Sequence, residues 1–360
     1  MEHALTLARK GIGLASPNPT VGCVIVNDGA ILGEGFHQYD WREHAEIVAL
    51  KQASEKARGA TMYVTLEPCS ITGRTGPCAE AIVAAGISRV VAAMQDPNPK
   101  VSGAGFERLR KAGIEVESGV LESEAQKLNE GFSHWIKTKT PFVTLKSGLT
   151  LDGQLALRQD KSATRDEWIT SEESRAEVHR MRHACDGLLT GIGTILADNP
   201  LLTDRSGLAR RRRLLRVVLD NKLRIPVDSR IVRSADDDLL VVTAASLKSP
   251  KARKLRDAGV ELFPLKRGLA RSGLWVVLKE LGQRQILNVL LEAGPTLNGT
   301  ALSAGAVDKL FLFYAPKIAG DFRLPLASQP NYAMPSLRIE SVKRFGPDIA
   351  LELLPMRQHA

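Results

Sequence analysis

Three residues constrain this chain more than any others: His44, Cys69 and Cys78. His44 opens the triplet His44-Ala45-Glu46, Cys69 follows Pro68, and Cys78 follows Pro77. One imidazole and two thiols suit a tetrahedral zinc with one position left open, as in a catalytic site, whereas a structural site normally closes with a fourth protein ligand. His44 and Cys78 fall at predicted helix starts, and Cys69 follows a predicted buried strand. The fold must bring those three ends together. Pro77 favours a first helical position, and the positive helix start stabilises the Cys78 thiolate. Glu46 lies two residues past His44, so it can reach the open position without ligating the metal. It is the candidate proton shuttle between an activated water and a substrate.

His-x-Glu followed by Pro-Cys is the signature of zinc deaminases, which attack an amidine-like carbon of a base. That signature sets two residues between its cysteines, and here eight intervene. Cys23 and Cys185 lack such neighbours and read as packing residues. Four cysteines in 360 residues are too few for a disulfide scaffold.

A chain of 360 residues favours two domains. The first third alternates the two periodicities. Helices are expected at about 2–12, 44–56, 77–85, 103–111 and 122–134. Strands are expected at 21–26, around Ile31, and at 60–66, 88–93 and 114–117. Lys137-Thr138-Lys139-Thr140-Pro141 reads as a connector, which sets domains at 1–139 and 140–360. The second part carries strands at 142–147, 187–190, 216–219, 239–243, 260–263, 286–291 and 308–313. Its helices are expected at 172–184, 249–258, 272–281 and 295–304, and a hairpin closes it at 338–345 and 348–354 through Gly346-Pro347-Asp348. Both parts are α/β, with covered sheet faces in the first.

No apolar run approaches the roughly 18 residues of a membrane span. The first ten residues lack a signal-peptide core, so a cytoplasmic protein without membrane contact is expected. The formal charge of +9 favours anionic partners. Four Trp, four Tyr and nine Phe are scattered rather than clustered as RNA-stacking platforms would be, so nucleic acid is not expected. The run Arg210-Arg211-Arg212-Arg213 reads as a solvated basic loop.

Beyond these motifs the chain resembles the bifunctional riboflavin-biosynthesis deaminase/reductases over nearly its whole length. In the first domain the resemblance rests on Ser16-Pro17-Asn18-Pro19-Thr20-Val21-Gly22, Gly33-Glu34-Gly35-Phe36-His37, His44-Ala45-Glu46, Thr65-Leu66-Glu67-Pro68-Cys69-Ser70, Gly73-Arg74-Thr75, Pro77-Cys78 and Asp96-Pro97-Asn98-Pro99. In the second it rests on Leu151-Asp152-Gly153, Trp168-Ile169-Thr170, Gly191-Ile192-Gly193-Thr194, Ala197-Asp198-Asn199-Pro200 and Glu292-Ala293-Gly294-Pro295-Thr296-Leu297. The eight-residue gap between cysteines is that family's own spacing.

The resemblance implies a cytidine-deaminase-like three-layer α/β/α domain followed by a dihydrofolate-reductase-like α/β domain. The first would hydrolytically deaminate 2,5-diamino-6-ribosylamino-4(3H)-pyrimidinone 5′-phosphate. The second would use NADPH to reduce the ribosyl side chain of the product to ribityl. His44, Cys69 and Cys78 would hold one zinc, Glu46 would be catalytic, and Asn18, His37 and Arg74 would bind the deaminase substrate. Gly148, Trp168, Thr194, Asp198 and the segment Gly294, Pro295, Thr296, Leu297, Asn298, Gly299 and Thr300 would bind NADPH. Arg182, Leu202, Arg205 and Glu292 would bind the reductase substrate. The family also implies a homodimer or homotetramer. Phosphorylated substrates and NADPH account for the positive charge.

The sequence departs from the family at three places. Ile71 replaces a His, Trp41 replaces a Gly, and Gln154-Leu155 begins a stretch about four residues longer than usual before Trp168, with Asp166 in place of a Ser. Two other readings share the zinc motif. One is a reductase whose first domain is zinc-stabilised but inactive, motivated by Ile71. The other is a nucleic-acid base deaminase with an appended binding domain.

Overall fold

The computed structural model describes residues 1–72, 76–155, 168–265, 271–321, 324–328 and 335–356. The chain forms two compact units. One comprises Met1–Lys139 together with Ala209–Arg212, and the other Thr140–Leu208 together with Arg213–Ala360.

The first unit runs α1 (Glu2–Arg9), β1 (Gly22–Asn27), β2 (Ala30–Phe36), α2 (Ala45–Ala53), β3 (Thr61–Val64), α3 (Cys78–Ala85), β4 (Arg89–Ala92), α4 (Ala104–Lys111), β5 (Glu115–Ser118), α5 (Glu122–Leu128) and α6 (Glu130–Thr138). Its sheet has the order β2-β1-β3-β4-β5. β1 is antiparallel to both neighbours, while β3, β4 and β5 are parallel. Ile25, Met62, Val64 and Val90 of the sheet pack with Ala45, Ala49, Ile82 and Leu109 of the helices. Close approach of α2 to β2 depends on two glycines. A Cβ on Gly33 would fall 2.2 Å from the Ala49 carbonyl oxygen, and one on Gly35 would fall 2.2 Å from that of Ala45. The sequence motif Gly33-Glu34-Gly35 therefore lets the helix that carries His44 and Glu46 lie flat on its strand.

One long helix was expected at 122–134, and the structure breaks it at Asn129. The buried Asn129 carboxamide accepts the Thr20 N–H at 2.7 Å and donates to the Thr20 carbonyl at 3.0 Å. That pair of bonds across the chain holds Asn129 out of helical geometry (φ −114°, ψ 21°). Local periodicity cannot register a partner 109 positions away.

The second unit runs β6 (Phe142–Thr150), α7 (Glu172–Ala184), β7 (Gly187–Gly191), α8 (Ile192–Asp198), β8 (Leu215–Leu219), α9 (Arg230–Arg233), β9 (Leu239–Thr243), α10 (Pro250–Asp257), β10 (Val260–Pro264), α11 (Arg271–Gln283), β11 (Asn288–Leu291), α12 (Pro295–Ser303), β12 (Lys309–Ala315), β13 (Leu337–Phe345) and β14 (Asp348–Pro355). Nine strands form one sheet in the order β10-β9-β8-β7-β11-β6-β12-β14-β13. From β10 to β12 every pairing is parallel; the final hairpin adds antiparallel strands. β9 is buried at every position, as a parallel strand covered on both faces requires. Alternate residues feed two cores, Leu240 and Val242 into one and Leu239 and Val241 into the other. Helices α8 and α9 were not expected; each spans only seven or four residues, too short for a periodic signal.

The strand order places β11 between β6 and β7, so chain connections leave in opposite directions around this point. Ligands of open parallel sheets bind outside the carboxyl ends of strands at such a point. β6 also outruns β11, whose pairing with it ends at Leu145, so Lys146 to Thr150 project past β11 at that rim.

Candidate active sites

In the first unit β3 leads into Pro68-Cys69, and α3 begins at Cys78. The Cys78 N–H donates to Cys69 Sγ at 3.3 Å, and the Ala79 N–H donates to the Cys69 carbonyl at 3.1 Å. His44 precedes α2 in an extended conformation. Its Nδ1 lies 3.1 Å from Cys78 Sγ and 3.5 Å from Cys69 Sγ. The three donor atoms fall within 4.8 Å of one another, the one such group among the described residues. Zinc bonds of about 2.0 Å to nitrogen and 2.3 Å to sulfur at tetrahedral angles set donors roughly 3.5–3.8 Å apart. The donor set therefore fits zinc with little adjustment. Its protonation points the same way. A hydrogen bond with Cys78 holds the Cys69 thiol down to about 4, and the same bond with burial pushes Cys78 up. A divalent cation at this site would hold both sulfurs as thiolates.

Glu46 lies in the first turn of α2 and is 4% exposed. Burial raises its carboxyl above the ordinary range, against the pull of His44. A carboxyl raised in this way can both take and return a proton near neutral pH.

Asn18 and His37 meet directly, with the Asn18 amide nitrogen 3.0 Å from His37 Nε2. His37 Nδ1 lies 2.9 Å from the Glu43 carbonyl, which can only accept. Nδ1 therefore carries the ring proton, and Nε2 accepts from Asn18. Burial lowers the His37 pKa, which keeps the ring neutral. That ring stands edge-on to His44 with centroids 5.4 Å apart, so the pair borders the metal ligands. Arg74 lies outside the described residues. Ile71 is exposed and its side chain offers no polar atom. Trp41 ends a tight turn, and the left-handed conformation passes to Arg42 (φ 62°).

In the second unit Arg182 and Glu292 form a buried fork. The guanidinium donates from Nε to Oε1 at 2.7 Å and from Nη2 to Oε2 at 3.0 Å. Lys146 Nζ lies 2.7 Å from Glu292 Oε2. Burial alone would raise the Glu292 carboxyl, but Lys146 and Arg182 outweigh it and hold it down to about 2. Lys146 was missed in the sequence, where its signal was a single cation inside the apolar run Phe142 to Leu149. His179 was missed as well. It lies three and four residues before Arg182 and His183, hence on the same face of α7, and its buried Nδ1 has no partner among the described residues.

The remaining expected positions are less uniform. Leu202 is buried in a hydrophobic cluster, with a left-handed backbone (φ 55°), so only its backbone can meet a ligand. Arg205 is exposed. Gly148 sits on β6, and a Cβ there would meet Thr170 Cγ2 at 3.0 Å. Trp168 is 65% exposed beneath the Arg175 guanidinium. Thr194 and Asp198 lie on α8. Gly294 caps α12 and Pro295 opens it, leaving the Thr296 and Leu297 N–H groups without intrahelical carbonyls. Asn298, Gly299 and Thr300 point the other way. All three are buried, and the Asn298 amide donates to the Ala293 and Leu326 carbonyls at 3.1 and 2.9 Å. The Asn298 and Thr300 side chains brace the segment, and its first turn is what a diphosphate can reach.

Two family models match the chain. The cytidine and deoxycytidylate deaminase zinc-binding region matches residues 1–94, and the RibD C-terminal domain matches residues 141–351. The riboflavin biosynthesis protein RibD of Escherichia coli K12 is 41% identical over 98% of both chains. The chain belongs to the RibD family. The RibD of Aquifex aeolicus is 43% identical, over 89% of this chain and 87% of that one. Among solved structures, Acinetobacter baumannii RibD aligns with a TM-score of 0.85 at 37% identity, covering 99% of this chain and 98% of that one. A Thermotoga maritima diaminohydroxyphosphoribosylaminopyrimidine deaminase/5-amino-6-(5-phosphoribosylamino)uracil reductase aligns with a TM-score of 0.83, also at 37% identity, covering 99% and 97%. Membership of the RibD family gives both units their fold classes, deaminase-like and reductase, and gives the chain zinc and NADPH as cofactors.

Proposed function

We infer that this chain carries out two consecutive steps of riboflavin biosynthesis. The first unit removes an amino group from a diaminopyrimidine ribotide by hydrolysis. The second reduces the ribosyl side chain of the resulting aminouracil ribotide to ribityl. The observation that carries the reading is the convergence of His44, Cys69, Cys78 and buried Glu46 in a chain that matches bifunctional relatives across both units.

His44, Cys69 and Cys78 would hold the zinc, which when bound supplies Lewis-acid activation of a water. Glu46 takes one proton from the water at its carboxylate and delivers it to the ring nitrogen as the water oxygen bonds to the amino-bearing carbon. It then takes the second proton from that hydroxyl and passes it to the amine, so that the C–N bond breaks, ammonia leaves and the carbonyl stays on the ring. Asn18 and neutral His37 orient the base through their fixed tautomer. In the second unit the α12 start and α8, which follows β7 directly, would seat NADPH, whose chemistry there is hydride donation. Lys146 and Arg182 present cations beside the carboxyl ends of β6 and β11, where an anionic ribotide binds, and Glu292 fixes both.

No helix among the described residues is long and apolar enough to cross a membrane. The enzyme proposed is cytoplasmic, and its proposed partners are phosphorylated ribotides rather than nucleic acid. A second copy of the chain is the proposed cover for Ile339, Val342 and Ile349, which expose apolar side chains on the closing hairpin.

Purified protein decides between the readings. Zinc content, ammonia release from the diaminopyrimidine ribotide, and NADPH oxidation on the deaminated product are to be measured. Bound zinc with no ammonia release would leave a reductase with an inactive first unit, the reading that Ile71 motivates.

A further inference from the structure

The arginine run does not behave as a solvated loop. Ala209–Arg212 belongs to the first unit, although its sequence lies far beyond Lys139. Arg213 departs from it and pairs with Asp236 in the second unit. Arg211 is the centre of the segment. Its N–H donates to the Gly13 carbonyl at 2.8 Å, its Nη1 to the Ser16 carbonyl at 3.2 Å, and its Nε to Asp40 Oδ1 at 2.9 Å. The guanidinium also lies 3.8 Å from the centre of the Tyr39 ring. Arg212 Nη2 donates to Ser16 Oγ at 2.9 Å.

These contacts grip two turns at once. One turn is residues 13–18, closed by the Asn18 N–H on the Ala15 carbonyl; the other is residues 39–41, tied to the first by the Tyr39 N–H on the Leu14 carbonyl. Asn18 lies two residues past Ser16, and His37 lies two residues before Tyr39. The Asn18–His37 hydrogen bond is therefore spanned from both sides by one guanidinium. Only the planar fork of an arginine can serve two acceptors and stack on a ring together.

We propose that Ala209–Arg212 is a positioning strap for the deaminase site, in which Arg211 fixes the spacing of the Ser16 and Tyr39 turns and so holds Asn18 and His37 in register for the pyrimidine ribotide. The proposal rests on the deaminase reading above. Arg211 touches neither metal ligands nor Glu46 in any contact described, so it acts on binding more than on chemistry.

The test uses the full-length, zinc-loaded protein and the variants Arg211→Ala, Arg211→Lys and Arg212→Ala. For Arg211→Ala, KM in ammonia release should rise about 5- to 20-fold with kcat within about twofold, the size expected for loss of a charge-assisted contact that orients a binding group. Arg211→Lys should fall between, and Arg212→Ala should raise KM less. Zinc per chain and NADPH oxidation should not change. The hydrogen-exchange rate of the His37 ring N–H, followed by NMR, should rise in Arg211→Ala, a readout that needs no turnover. An unchanged KM with an unchanged exchange rate overturns the strap, and so does a fall in kcat with loss of zinc. An inactive parent protein would refute the deaminase reading instead, and the exchange rate would still decide the strap.

Discussion

Lys146 Nζ lies 2.7 Å from Glu292 Oε2, with the two side chains 15% and 9% exposed. A half-buried lysine on β6 thus meets a carboxylate just past the end of β11, and the carboxylate's other edge is filled by Arg182. Removal of Lys146 takes a cation from the rim proposed to bind the ribotide. The variant Lys146→Ala should lower kcat/KM for NADPH-dependent reduction by about 10²- to 10³-fold, the range for loss of one preorganised charge. Ammonia release should be untouched. Equal losses in both reactions would contradict independent sites.

The same cluster makes a pH prediction. Glu292 is held down to about 2 in the fold, whereas a glutamate in an unfolded chain titrates near about 4.3. The folded pKa is the lower one, so the carboxylate's stabilisation is complete above about pH 4.3 and is lost as pH falls toward 2. Amide exchange from the second unit should show its stability dropping more steeply between pH 4.5 and 3 in the parent than in Glu292→Gln. A difference on the order of 2 kcal/mol is expected. Parallel slopes would show that Glu292 titrates normally.

Glu46 offers the sharpest separation of the two activities. Glu46→Gln keeps the side-chain size but removes the proton acceptor, so ammonia release should fall by at least about 10³-fold. Zinc content and NADPH oxidation should remain at parent levels. Loss of zinc in this variant would mean that Glu46 supports the metal rather than the proton.

Gly35 tests whether strand–helix contact sets the metal geometry. A Cβ at this position would stand 2.2 Å from the Ala45 carbonyl oxygen, which is backbone and cannot rotate away. Gly35→Ala should push α2 off β2 and cost about 2–4 kcal/mol of first-unit stability. Because His44 and Glu46 ride on α2, zinc affinity measured against a chelator should fall as well. Unaltered zinc affinity would mean that the helix start is anchored independently of β2.

The local chemistry of this protein was written in its residues. Pro77 and Cys78 mark a helix start and β-branched runs mark buried strands, because each depends on neighbours a few positions away, and His44 with two Pro-Cys pairs is the expected metal-ligand set. Most elements of both units were legible for the same reason. What the sequence could not carry were partners chosen by distance in space. Thr20 breaks a helix at Asn129, Glu292 recruits Lys146 as well as Arg182, and Asn298 turns inward to brace α12. The arginine run shows the division most plainly. Composition marked it as basic, but only the tertiary structure gave Arg211 to the Ser16 turn, Asp40 and Tyr39, because a guanidinium is oriented by acceptors and rings that the fold, and not the neighbouring sequence, brings within reach.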